Sequence, residues 1–142
     1  MTSKNKCIEI SIPSSSEYVG VVRLAISGVA SRCNFTVDEI EDLKIAVNEA
    51  CTNAVVHAYN GKTGTVTVRC YPKHNELAVE VADQGAGFNV KEVLARAGKS
   101  TPSGKRPSLG LGLTFIQNLM DSTKIQSAPR KGTTIRFTKK HR

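Results

Sequence analysis

A chain of 142 residues, 39% hydrophobic and 23% charged, has the composition of one soluble globular domain, residues 1–142, and is too short for two comfortable ones. No apolar run approaches the roughly 18 to 20 residues that cross a bilayer, and the opening MTSKNKCIEIS has no secretory core, so no membrane partner and a cytoplasmic location are expected. The formal net charge of +8 favours an acidic partner, a polyphosphate ligand or nucleic acid, and the scattered four Phe and three Tyr, with no Trp, argue against direct nucleic-acid binding.

The predicted elements run as follows. From Cys7 to Ile12 apolar and polar residues alternate, the period of a half-buried strand, and Pro13 closes it. Ser14 and Glu17 stand at capping-box spacing before Val19, Val22, Ile26 and Val29, which predicts a helix to about Arg32. A second box, Thr36 and Glu39, opens the longest helix, through Ile40, Leu43, Val47, Ala50, Ala54 and Ala58 to the turn residues Asn60 and Gly61. Two strands follow, Thr65 to Tyr71 and Leu77 to Ala82, joined in a hairpin around His74 and Asn75. After a Gly-rich loop comes a short helix, Val90 to Ala97. The segment GKSTPSGKRPSLG, residues 98 to 110, is too rich in Gly, Pro and Ser for regular structure and is expected to be mobile. A helix from Leu111 to Asp121 and two strands, Lys124 to Ser127 and Thr133 to Thr138, complete the chain. Strands and helices segregate only partly, so the expected class is α+β: a two-layer α/β sandwich with helices on one face of a mixed sheet. Cys7, Cys33, Cys51 and Cys70 form no CxxC pair and read as reduced thiols, with neither zinc nor disulfides.

Three places carry candidate chemistry. On a wheel of about 100° per residue, Glu49 and Asn53 lie one turn apart on the long helix, opposite Ile40 and flanked by Ile45, Ala46 and Val56. This is either a lined pocket or a partly solvated helix face; burying such groups without partners would cost about 1 to 3 kcal/mol each. Asp83 ends a strand and meets Gly85 and Gly87, so it is either a plain strand-end turn or a place where backbone approaches a flat ligand and a carboxylate accepts from an exocyclic amine such as that of adenine. Gly110, Leu111 and Gly112 open a helix behind a loop carrying Lys99, Lys105 and Arg106. Helix N-termini present unpaired N–H groups and the positive end of the dipole, which suit phosphate. The basic tail, Lys139 to Arg142, reads as a solvated end, and His57 as structural.

Taken together in order, EACTNAVVHA (Glu49 to Ala58), DQGAGF (Asp83 to Phe88), GLGL (Gly110 to Leu113) and GTTI (Gly132 to Ile135) resemble the nucleotide-binding boxes of the ATPase superfamily shared by gyrase, Hsp90, histidine kinases and MutL. Glu17 to Arg32, Asp38 to Tyr59 and the LMD at Leu119 to Asp121 are similar to the bacterial anti-sigma factor serine kinases of the general-stress type. The resemblance implies the Bergerat ATPase fold with a flexible ATP lid over about 98–110. It implies ATP and Mg²⁺ as cofactors and two protein partners: a sigma factor, held inactive, and a STAS-domain anti-anti-sigma factor, phosphorylated on serine. A homodimer is also implied, with the first strand and helix as the place to look for its interface. In the implied roles Glu49 is the general base, Asn53 the magnesium ligand, Asp83 the adenine reader, and Gly85 and Gly87 the pocket floor. Gly110, Leu111 and Gly112 give backbone contacts to phosphate, Lys105 or Arg106 reaches the terminal phosphate, and Thr133 supports the adenine end. Where this family often begins its second glycine box one Gly earlier, Ser108 and Leu109 stand here. The alternative reading is a non-catalytic nucleotide-binding switch of the same fold that acts by protein binding, for instance by activating a phosphatase.

Overall fold

The structure is a computed structural model in which residues 6–59, 62–96 and 109–142 are described. Much of the segment 98–110, including Lys105, Arg106 and Ser108, and the turn residues Asn60 and Gly61 therefore lie outside the described residues. The elements are β1 (Ile8–Pro13), a 3-10 turn (Ser16–Tyr18), α1 (Val19–Ala30), α2 (Val37–Asn53), a π-helical turn (Ala54–Ala58), β2 (Thr65–Lys73), β3 (Glu76–Asp83), α3 (Val90–Ala95), α4 (Leu109–Leu119), β4 (Ser122–Ser127) and β5 (Thr133–Lys140).

The strands form one sheet in the order β1-β2-β3-β5-β4, and every pairing is antiparallel. The mixed sheet expected from the sequence is thus corrected. Two helices in series, α1 and α2, return the chain to the end where β1 left it, so β2 comes back antiparallel. β3 and β4 do point the same way, but β5 is inserted between them.

Because directly opposed residues share a face, the pairing register sorts the sheet into rows. Two inner rows are chiefly apolar: Ile10, Val68, Val81, Ile135 and Ile125 in one, and Ile8, Cys70, Val79 and Phe137 with Thr123 in the other. α2 packs between α1 and α4 against this face; Leu43, Val47 and Cys51 of α2, Val22 and Ile26 of α1, and Leu113 and Ile116 of α4 are fully buried in the shared core. The outer face carries an alternating charged row, in which Arg69 bridges Glu9 at 2.7 Å and Glu80 at 3.3 Å, and Arg136 meets Glu80 at 3.7 Å. Such exposed pairs contribute about 0 to 1 kcal/mol each.

The two capping boxes fare differently. At Thr36 both reciprocal bonds form: the Glu39 N–H donates to Thr36 Oγ1 at 3.2 Å and the Thr36 N–H to Glu39 Oε1 at 2.8 Å. The box read at Ser14 and Glu17 does not form. Ser14 follows directly on β1, beside the start of β2, so its hydroxyl accepts from the Gly64 N–H at 2.8 Å and donates to the Lys62 carbonyl. Helix α1 is entered through the 3-10 turn instead. The far end of the chain is solvated at Lys140 and Arg142 and yet tied down: Glu39 accepts from the Arg142 N–H and pairs with the His141 ring, Lys139 reaches Asp42 and the Leu119 carbonyl, and Arg142 pairs with Asp121.

Candidate functional site

The third inner row of the sheet breaks the apolar pattern. It runs Ile12, Val66, Asp83, Thr133, Ser127 across the five strands, so three polar side chains stand side by side where hydrophobic ones would complete the core. Thr133 is only 6% exposed. A polar cluster at core positions is stabilised only if its members are satisfied, and most of the bonds are present. Gly85 N–H donates to Asp83 Oδ1 at 2.9 Å, Thr133 Oγ1 lies 2.7 Å from Ser127 Oγ, and Phe88 N–H donates to Ser127 Oγ at 2.9 Å. Burial pushes the Asp83 carboxyl above its ordinary value, while N–H groups of Gly85 and Thr133 pull in the other direction.

The helix layer closes over this row through the last turns of α2. Asn53 is 8% exposed, and its Nδ2 is buried with no hydrogen-bond partner. The solvated-face reading of this stripe is excluded for Asn53. A buried, unsatisfied amide costs about 1 to 3 kcal/mol, which marks a place kept polar for something other than stability. Immediately beyond it the helix widens into the π turn, a distortion common at functional sites. There the Ala58 carbonyl accepts from the Ala86 N–H at 2.8 Å, which draws the loop after β3 against the end of the helix. Gly85 has no room for a side chain because the Ala58 backbone occupies it, and Gly87 takes φ +67 against Ala128, a conformation that suits glycine. The Tyr59 hydroxyl completes the junction, donating to the Thr65 carbonyl and accepting from the Gln84 N–H, each at 2.8 Å.

On the other side of α2 stands the start of α4. A Cβ placed on Gly112 would lie 2.9 Å from Glu49 Oε2 and 3.4 Å from Asn53 Oδ1. The missing side chain is what lets the helix backbone approach both groups. α4 begins at Leu109 rather than Leu111, so Gly110, Leu111 and Gly112 lie within its first turn, where backbone N–H groups have no intrahelical acceptor. The Gly112 backbone, a carboxylate and a buried amide therefore stand close together.

Between the two regions lies a small pocket of about 60 Å³, with Asn53, Asp83, Gly87 and Thr133 in its walls. The sequence-predicted residues Glu49, Asn53 and Gly112 are brought together where α2 meets α4; Asn53, Asp83, Gly87 and Thr133 line the pocket, Glu49 and Gly112 do not, and Gly85 is packed against Ala58. Gly110 and Leu111 do not line the pocket; Leu109 does. Lys105 and Arg106 lie outside the described residues. His57, read from sequence as structural, is also in the wall, as is Phe88. His57 follows Asn53 by four residues, and that spacing was the available signal. Among the described residues no group of three His, Cys, Asp or Glu could hold a metal by itself. The oxygens of Asn53 and Glu49 do fit a hard divalent cation whose remaining ligands come from phosphate and water.

This architecture is that of a nucleotide-binding ATPase domain. The family model described as Histidine kinase-like ATPase domain matches residues 12–139. The fold is also similar to the RsbU and RsbW domains of a Mycobacterium tuberculosis protein, with a TM-score of 0.67 at 18% identity over 95% of this chain and 32% of that one. A mycobacterial sensor histidine kinase, MprB, matches with a TM-score of 0.54 at 20% identity, over 98% of this chain and 99% of that one. Sequence similarity is higher to the serine-protein kinase RsbW of Bacillus velezensis, 49% identical over 98% of this chain and 88% of the relative. The serine-protein kinase RsbW of Bacillus subtilis is 47% identical over 93% and 84% respectively. The chain belongs to the RsbW family of histidine kinase-like ATPase domains.

Proposed function

We propose that this protein is an anti-sigma factor with ATP-dependent protein serine kinase activity. In this reading it holds a sigma factor inactive and phosphorylates a serine on a STAS-domain antagonist, switching partners in transcription control in the cytoplasm, as a homodimer. The observation that carries the catalytic half is the convergence of Glu49 and Asn53 on the first turn of α4 at Gly112.

Each residue then has an assigned task. Asp83 accepts a hydrogen bond from the adenine amine, with Gly87 and Thr133 beside the flat base and Gly85 letting the loop pack against Ala58 behind it. The first-turn N–H groups of Gly110, Leu111 and Gly112 receive the phosphate chain, whose charge Lys105 and Arg106 help to neutralise. The Asn53 side-chain oxygen would be the protein ligand of Mg²⁺, which would supply positive charge to offset the charge that develops on the phosphates. Glu49, one turn from Asn53, takes the proton of the incoming serine hydroxyl as its oxygen bonds to the terminal phosphorus. The products are phosphoserine and ADP. Positioning and charge neutralisation do most of the work in such a transfer.

The test mixes purified protein, Mg-ATP and a candidate STAS-domain antagonist, and reads phosphate on the antagonist by mass spectrometry. One phosphoserine on the antagonist is expected. Recovery of an unmodified antagonist from a complex that binds ATP would remove the kinase assignment.

A further inference from the structure

We propose that Lys139 is a positioning residue for phosphate transfer, holding α2 and α4 together at one end of their contact so that Glu49 and Gly112 meet at the other. The inference rests on the kinase reading above. Lys139 does not line the pocket; it reaches the site through the two helices.

The register puts Lys139 opposite Leu77, which is fully buried, so the lysine belongs to the helix-covered face of the sheet. Its side chain is only 13% exposed. An ammonium withdrawn from water needs partners, and two converge on it from different helices. Asp42 Oδ2 of α2 lies at 3.1 Å, and the carbonyl of Leu119, the last residue of α4, at 2.8 Å. That carbonyl is among those left without an intrahelical donor at a helix end, where a cation is favoured. Lys139 therefore pins the end of α4 to α2.

The pinned end and the site are in phase. Asp42 precedes Glu49 by seven residues, and Leu119 follows Gly112 by seven. Seven residues bring an α-helix back to within about 20° of the same face, about 10 Å further along its axis. Asp42 and Glu49 therefore share one stripe of α2, Gly112 and Leu119 share one stripe of α4, and the helices run antiparallel with the two stripes facing. Lys139 fastens one end of this contact; at the other, a Cβ on Gly112 would stand 2.9 Å from Glu49 Oε2. A spacing that tight tolerates little tilt between the helices, and a misplacement of about 1 Å can cost a reaction about a hundredfold. The fold has other ties at the pinned end: the Asp121 N–H donates to the Thr138 carbonyl at 2.9 Å, and the Lys140 N–H to Asp121 Oδ2 at 2.7 Å. What Lys139 adds is the link across to α2.

The experiment measures phosphate transfer to the STAS-domain antagonist, calorimetric affinity for Mg-ATP and the thermal melt, all on the full chain. Lys139→Met, which keeps the length of the side chain without its charge, is expected to lower kcat about five- to twentyfold while KM for ATP and the calorimetric affinity stay within about twofold. Lys139→Arg, which keeps the cation, is expected to recover most of the rate. In a Gly112→Ala background, where the close approach is already lost, Lys139→Met is expected to lower kcat by less than about twofold further. A crystal structure of Lys139→Met without nucleotide should show Gly112 farther from the Glu49 carboxylate than in wild type. If Lys139→Met does not fold, Asp42→Asn takes its place, with a smaller fall in kcat expected. An unchanged kcat, no recovery with arginine, an equal loss of kcat and ATP affinity, or a full multiplicative effect on top of Gly112→Ala would overturn the inference and leave the kinase reading intact. Wild-type protein that transfers no phosphate would overturn the kinase reading, and an unmoved Gly112 in the Lys139→Met crystal would overturn the inference on its own.

Discussion

Gly112 and Glu49 face each other across a gap that a single methyl group would close: a Cβ on Gly112 would stand 2.9 Å from Glu49 Oε2. Helix α4 can come this close only without a side chain. Gly112→Ala is expected to displace the carboxylate and the neighbouring Asn53 amide, at a cost of about 1 to 3 kcal/mol for overpacking. Phosphate transfer should fall by at least about tenfold, with the circular dichroism spectrum unchanged; a variant with wild-type turnover would show that the approach has no catalytic meaning.

Asn53 is expected to matter far more to the nucleotide complex than to the free protein. Its Nδ2 has no hydrogen-bond partner, so truncation to alanine leaves no donor unpaired, and relief of about 1 to 3 kcal/mol of desolvation offsets the lost packing. Thermal melting of Asn53→Ala without ligand should stay close to wild type. The upward shift produced by Mg-ATP should disappear.

Nucleotide affinity should depend on pH through Asp83. Burial raises this carboxyl above its usual value, and an amine donor from the base favours the ionised form, so binding lowers the value again. Affinity is therefore expected to be full well above the raised value and to decline as pH falls through it, starting at a higher pH than an ordinary aspartate would give. In Asp83→Asn the decline should be absent and the affinity lower throughout, by about tenfold or more. Titration calorimetry between pH 4 and about 8 spans the ordinary carboxylate range and the working range.

Glu39 is expected to control acid stability. Some desolvation opposes ionisation, but bonds from the Thr36 amide, the His141 ring, the Arg142 amide and the Thr36 hydroxyl hold its value down to about 2. A depressed folded value means that the stabilisation is fully present above the ordinary glutamate value and is lost as pH falls toward about 2. Glu39→Ala, which removes the capping acceptor together with the charge, should cost about 1 kcal/mol at neutral pH, the scale of a lost cap, and should show a flatter loss of stability on acidification. Urea unfolding at pH 2 through 7 would measure both, with about the cap's worth of difference closing at the acid end.

Much of this arrangement could be read before any coordinates, and the exceptions share a cause. Periodicity located the five strands and the helices α1, α2 and α4, most of which have one face in the core, and the Thr36 box was legible because both partners lie within one turn. The Ser14 box misled because a spacing of three says nothing about a neighbouring strand, and Gly64, fifty residues on, takes the hydroxyl. Sheet order failed in the same way: whether β5 lies between β3 and β4 is decided by long-range pairing. At the site, Glu49, Asn53, Asp83 and Gly112 stood out as polar or glycine residues in apolar settings. Ser127 did not, since a serine at a strand end looks like a turn residue until the register sets it beside Thr133. Leu109 was assigned to a loop because the glycines after it resemble a junction, whereas they lie inside α4.

The central claim is that Glu49 acts as a base beside a nucleotide held by Asn53 and Asp83, and Glu49→Gln tests it most directly. Glutamine keeps the size and polarity of the side chain but cannot take a serine proton at neutral pH. Single-turnover transfer to the STAS-domain antagonist and calorimetric affinity for Mg-ATP would be measured on the same preparation. The account predicts unchanged affinity with transfer reduced at least about a hundredfold, the scale of a lost general base. Transfer at the wild-type rate, or loss of nucleotide affinity in step with loss of transfer, would contradict it.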